Sequence, residues 1–168
     1  MRLALRDLFR AKWSQTVHEE WIEAALRDRP DDLDRKKVER ARALMDAHVR
    51  DGLVEGYEEL IESLVLPDPA DRHVLAAAIR GRADVIVTMN LKDFPAATLA
   101  PYGIEAKHPD AFIMELIDLD GGAVVAAAHE HRVSLRSPPK TVQAYLDSLE
   151  RQGLIHTVAT LRAFEGVL

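Results

Sequence analysis

The chain of 168 residues contains no cysteine. Disulfides and thiolate metal sites are therefore excluded, and any metal must be held by oxygen or imidazole. There is also no apolar run long enough to span a bilayer, and the start does not read as a signal peptide, so a cytoplasmic location is expected. An excess of basic charge is missing as well: 22 Lys and Arg stand against 28 Asp and Glu, a net charge of -6. That balance does not suit a protein that wraps nucleic acid by bulk electrostatics. It does not exclude a nuclease, because acidic residues that hold a divalent cation lower the formal charge of the metal-free chain. Internal repeats and low-complexity tracts are absent. What remains is an ordinary globular composition, 48% hydrophobic and 30% charged, at a length that suits one domain or one domain with an appendage.

Leu3, Leu5, Leu8 and Phe9 predict a short apolar helical segment. Ser14 is an N-cap candidate for a helix carrying Val17, Trp21, Ala24 and Ala25 on one side. Arg29 to Asp32 reads as a break. A second helix is expected from Asp34 to about His48, with Val38, Ala41, Leu44, Met45 and His48 at helical spacing. Then Leu64-Val65-Leu66 leads into Pro67-Asp68-Pro69-Ala70-Asp71. Asp68 suits an N-cap, Pro69 the first helical position and Asp71 the third. The helix that follows reads Arg72 to Arg80 and stops at Gly81, and its alanines allow close approach to a sheet.

Asp84 to Thr88 is β-branched and unbroken, as expected of a strand buried on both faces. A second short strand, Ile104-Glu105-Ala106, precedes a helix opened by Pro109-Asp110 and carrying Phe112, Ile113 and Leu116. Alternating helices and strands predict a parallel α/β sheet. Gly121-Gly122 marks a boundary. Beyond it lie an alanine-rich helix over roughly Ala123 to Leu135, a stiff Ser137-Pro138-Pro139 linker, and two amphipathic helices. Their stripes are Val142, Tyr145, Leu146, Leu149 and Leu154, Val158, Leu161. The expected division is 1–119 for the α/β domain and 120–168 for a helical appendage.

In open parallel sheets ligands sit at the carboxyl ends of the strands. Asn90 and Asp93 lie just past the end of the first strand, and Asp71 opens the preceding helix. Three or four oxygen ligands there suit Mg²⁺ or Mn²⁺, an ion able to activate water and offset charge on a phosphodiester. The plainer alternatives stay open: Asp68 and Asp71 as ordinary helix-start residues favoured by the dipole, and Asp93 as part of a turn. For His18 and His73, a packed structural role is favoured over a ligand or proton shuttle. Trp13 and Trp21 read as core residues, ahead of base-stacking platforms.

The segments 66–79, 84–95 and 102–104 together closely resemble one branch of the PIN-domain family, the branch of VapC-like toxins whose members often carry a helical C-terminal extension. The resemblance implies a metal-dependent endoribonuclease, the toxin of a toxin–antitoxin pair. An acidic cluster at the end of a parallel sheet would bind Mg²⁺ or Mn²⁺ and cut RNA. Matched to the family pattern, Asp71 and Asp93 are metal-binding aspartates, with Thr88 and Asn90 beside the latter. Glu20 matches the glutamate of the early helix better than Glu19 does, and Asp68 is a further ligand candidate. Lys92 and Arg72 are candidates for phosphate contact, though surface solvation is the plainer role of each. The resemblance also implies a cognate antitoxin, often DNA-binding, and often dimerisation, with no membrane association.

The chain departs from the family pattern at one place. PIN domains begin with a hydrophobic central strand ending in an aspartate, whereas this sequence enters almost directly on a helix, and Asp7 sits inside that helix. The expectation is a sheet without its central strand, whose neighbours would carry unpaired backbone groups costing about 1–3 kcal/mol each where buried. Three readings stay open: a start further upstream, a strand from another chain, or a reduced form with little activity. A non-catalytic module that binds an antitoxin or self-associates is the alternative function. A phosphotransfer or phosphatase domain of similar sheet is a weaker third.

Overall fold

The computed structural model describes residues 2–28, 34–49, 51–136 and 138–168. The expected break at Arg29 to Asp32 and the Ser137 of the expected linker lie outside these residues. Among the described residues, no helix is long and apolar enough to cross a membrane. The chain divides into two compact units, one of residues 10–86 and 90–106, the other of 1–9, 87–89 and 107–168.

The first unit opens on α1 (Gln15–Asp28) and α2 (Arg35–His48). Ser14 caps α1 as expected, its Oγ accepting the Val17 N–H at 3.2 Å, and Asp34 caps α2 by accepting from the Lys36 N–H at 3.1 Å. The expected apolar face of α2 does not form. Only Val38 is buried, and Leu44 stays 48% exposed. The physical reason lies in what joins the two helices: polar pairs, Arg35 to Glu23 at 2.6 Å and Arg42 to Gln15, take the place of an apolar stripe. A single parallel bridge joins Trp13 to Leu53, with the Trp13 N–H on Gly52 O at 2.9 Å and the Val54 N–H on Trp13 O at 2.8 Å. Gly52 is required there, since a Cβ would lie 2.9 Å from the Trp13 ring.

The short α3 (Glu58–Ile61) packs on α4 (Arg72–Arg80), the buried centre of this unit. Leu75, Ala76, Ala77 and Ala78 of α4 pack into a core with Val54, Tyr57, Leu64, Leu66, Ile86, Phe94, Leu99 and Ile104. Leu75 is fully buried, so Leu75→Ala would cost about 2–5 kcal/mol. The alanines allow the close packing that their size predicts. At the C-cap, Gly81 has no room for a Cβ, which would meet Val54 at 2.9 Å and the Ala77 carbonyl at 3.0 Å.

Strands β1 (Val85–Val87) and β2 (Glu105–Lys107) form a two-stranded parallel sheet, so the fold is α/β with a helical C-terminal region. The register is fixed by the Glu105 N–H on Asp84 O and the Thr88 N–H on Lys107 O, both at 2.9 Å. Strand β1 is not buried on both faces: Ile86 is, but Val87 is 44% exposed. That alternation belongs to a strand covered on one side. Between the strands the chain makes a 3₁₀ turn at Leu91–Asp93 and the short α5 (Ala96–Leu99). A further 3₁₀ turn, Ala100–Tyr102, is ended by Gly103 at φ +67°.

In the second unit, the expected helix of Leu3 to Phe9 shrinks to one 3₁₀ turn, Ala4–Arg6, because Asp7 adopts the left-handed conformation at φ 55°. The ring of Phe9 sits edge-on to Phe112 at 5.0 Å. The long α6 (Pro109–Ser134) breaks at Asp120, just before Gly121-Gly122. There the Asp120 Oδ1 accepts the Ala123 N–H at 2.8 Å and restarts the helix. Helices α7 (Val142–Glu150) and α8 (Ile155–Leu161) follow, and their stripes bury Tyr145, Leu146, Val158 and Leu161 with Ala128 and Leu168. Asp110 caps α8 from a distance. Its carboxylate accepts the His156 N–H at 2.9 Å, the His156 Nδ1–H at 2.8 Å and the Thr157 N–H at 2.8 Å.

Candidate functional site

Three aspartates of the first unit converge: Asp68, Asp71 and Asp93 each offer a carboxylate oxygen, and these atoms lie within 4.8 Å of one another. Each is delivered by a local rule. Asp68 is the N-cap of the Pro69–Asp71 turn, and its Oδ1 accepts the Ala70 N–H at 2.8 Å. Pro69 fixes the turn that carries Asp71 to the head of α4, where the helix dipole favours an anion. Asp93 ends the 3₁₀ turn after β1, and the Asn90 amide donates to its Oδ2. This is the short turn after a strand that the sequence suggested, with Asn90 holding the carboxylate.

Electrostatics at the cluster disfavour the charged form of Asp71. The Asp71 carboxyl is pushed up from its ordinary range, first by burial, then by the charges of Asp68 and Asp93, with Glu20 adding to them and His73 opposing. Like charges gathered close together are a common feature of functional carboxylates. Octahedral Mg²⁺ places its oxygen ligands about 2.0–2.1 Å away. Two of them on one ion are then no more than about 4.2 Å apart. The three oxygens need only a small closure to meet that spacing, and the all-oxygen donor set suits a hard cation.

Glu20 stands outside this set of three, although its charge reaches Asp71. Its Oε1 instead accepts from His73 Nε2 at 2.9 Å. Glu19, the weaker candidate, accepts from the Gln15 amide at 2.8 Å on the same helix. Arg72 donates its Nε–H to the Pro69 carbonyl at 3.0 Å, and Lys92 is exposed. The backbone of Thr88 is held by the sheet.

His18 is fully buried and structural. Its Nδ1 accepts the Trp21 indole N–H at 2.9 Å, which leaves Nε2 to donate to Asp46 at 3.0 Å. Trp13 donates to the same Asp46 oxygen at 2.8 Å. Trp13 is buried and Trp21 half-buried, and both indole N–H groups are committed to hydrogen bonds. The His73–Glu20 pair and the role of Asp46 were invisible in the sequence, since their partners lie 53 and 28 positions apart. Only the placement of a histidine two residues after Asp71 hinted at the first.

Set beside known proteins, the chain matches the PIN domain over residues 1–92 and the VapC50 C-terminal domain over residues 109–163. It belongs to the PIN-domain family. It is similar to "Putative ribonuclease VapC50" of Mycobacterium tuberculosis (strain ATCC 25618 / H37Rv), 45% identical over 97 residues. That stretch is 58% of this chain and 57% of the relative, so the chain spans little more than half the length of the curated protein it matches. No solved structure matches. The PIN match ends one residue before Asp93, whose place in the cluster therefore rests on geometry.

Proposed function

We propose that this chain is a divalent-metal-dependent endoribonuclease of the VapC type, hydrolysing RNA phosphodiesters as the toxin of a toxin–antitoxin pair. The observation that carries the reading is the convergence of Asp68, Asp71 and Asp93 within 4.8 Å in a chain of the PIN family. Asp71 and Asp93 are the principal ligands, Asp68 and Glu20 complete the oxygen set, and Asn90 holds Asp93 in place. When bound, Mg²⁺ or Mn²⁺ supplies positive charge where the phosphodiester gathers negative charge and makes water a better nucleophile. Lys92 and Arg72 flank the cluster in sequence and are assigned to meet phosphate oxygens. Thr88 stands beside the same turn in the sequence and is assigned a supporting part.

The non-catalytic alternative is disfavoured, because a module that only binds a protein has no need to gather three carboxylates. A division at 119/120 belongs to the same proposal; α6 breaks at Asp120, while residues 107–119 group with the helical unit. The partner is a protein antitoxin, the compartment is the cytoplasm, and dimerisation and a DNA-binding antitoxin belong to the same proposal. The test is direct. Purified protein with Mn²⁺ should cleave RNA, EDTA should stop it, and Asp71→Asn should abolish it. Cleavage that survives Asp71→Asn overturns the assignment.

A further inference from the structure

We infer that His73 is a positioning residue that fixes the carboxylate of Glu20 for the cation; the inference rests on the metal reading above. His73 is 8% exposed, on the first turn of α4 and two positions after Asp71. Its Nε2 lies 2.9 Å from the Glu20 Oε1, while its Nδ1 is buried and has no hydrogen-bond partner among the described residues. An ionised carboxylate only accepts, so Nε2 carries a proton and donates it to Oε1. The ring thus makes one hydrogen bond, in one direction, and burial stops it turning away.

Glu20 gains what it otherwise lacks. Its side chain is 56% exposed on α1, and a free glutamate there would sample many rotamers. The histidine occupies Oε1 and leaves Oε2 without a hydrogen bond among the described residues. The charge held this way is one of those that act on Asp71. A tie that merely joined two helices would be a poor one. A hydrogen bond to a half-exposed carboxylate contributes little to stability, and a buried ring nitrogen with no partner works against it. Orientation of an oxygen toward a cation accounts for both features, as partners behind metal ligands commonly do.

The experiment measures Mn²⁺ affinity of the full chain by electron paramagnetic resonance of the free ion, with melting temperature as a control. His73→Ala should weaken Mn²⁺ binding by about 10-fold or more, and His73→Gln, whose amide can still donate, should recover most of the loss. Glu20→Gln should weaken binding by a similar factor. Adding His73→Ala to Glu20→Gln should then change nothing further, because the histidine acts only through the glutamate. If His73→Ala binds Mn²⁺ like the wild type while Asp71→Asn does not, the inference is overturned and the metal reading stands. Equal losses from His73→Ala with and without Glu20 overturn it too, as a structural effect. If His73→Ala does not fold, Glu20→Gln and His73→Gln decide it: wild-type affinity in Glu20→Gln, or a full loss in folded His73→Gln, overturns it. A wild-type chain that binds no Mn²⁺ overturns the metal reading and this inference together.

Discussion

Asp71 and Asp110 each stand near the start of a helix, one in each unit, and burial pushes the carboxyl of both upward. They end on opposite sides of the ordinary range. At Asp71 the neighbours are more carboxylates, so the shift stays upward. At Asp110, hydrogen bonds from Thr157 and His156 overcome the burial and hold the carboxyl far below its usual range. One site is a charge with its donors supplied by the fold; the other is a set of like charges brought together. The first arrangement serves stability, and the second fits the cation binding proposed above.

The comparison breaks most sharply on activity. Asp71→Asn should lower RNA cleavage by more than about 100-fold, equivalent to about 2.7 kcal/mol or more of lost transition-state stabilisation. Asp110→Asn, assayed well below its melting temperature, should change cleavage by no more than about twofold. A comparable loss at Asp110 would erase the distinction.

On stability the order reverses. Asp110→Ala removes three hydrogen bonds that converge on one buried carboxylate and leaves two N–H groups at the head of α8 without partners. The expected cost is about 2 kcal/mol. For a chain of this size that is a fall of about 4–8 °C in melting temperature, read by circular dichroism. The sign with pH follows from the lowered carboxyl. Its contribution is fully present above the ordinary aspartate range near 3.9. It is lost as the pH falls from there toward its lowered value. The stability gap between wild type and Asp110→Ala in urea titrations should therefore be smaller at pH 3 than at pH 7; a gap unchanged at pH 3 would sink this account.

The cation should act as the missing partner of the Asp71 cluster. Mn²⁺ at about 100 times its Kd should stabilise the wild type by about 2.7 kcal/mol and leave Asp71→Asn nearly unmoved. Without any cation, Asp71→Asn should raise stability slightly, by a few tenths of a kcal/mol, because the folded state then no longer holds mutually repelling charges. The expected gain is a small rise in melting temperature in EDTA. A fall instead would show that the aspartate serves the fold after all.

Much of the first unit was legible because its signals are local. Asp68, Pro69 and Gly81 punctuate the chain by rules that act within one turn, and they placed α4 and two of the three clustered aspartates. Asp93 followed from the end of an unbroken β-branched strand. What failed was inference about cover. Nothing in Val85 to Val87 says how many strands lie beside them, and the spacing of Val38, Ala41 and Leu44 does not reveal that polar pairs join α2 to its neighbour. Asp110 illustrates the same limit: it read as a helix opener, and its donors lie 46 positions downstream.

That separation matters while the chain is being made. The core around Leu75 is complete once Ile104 has been synthesised. Asp110, by contrast, leaves the ribosome before any of its donors exist. At about 5–20 residues per second the wait for His156 and Thr157 is about 2–9 seconds. During that interval the Asp110 carboxylate lacks these donors, so its contacts form only after α8 arrives. Translation thus completes the residues of the carboxylate cluster before those that hold Asp110.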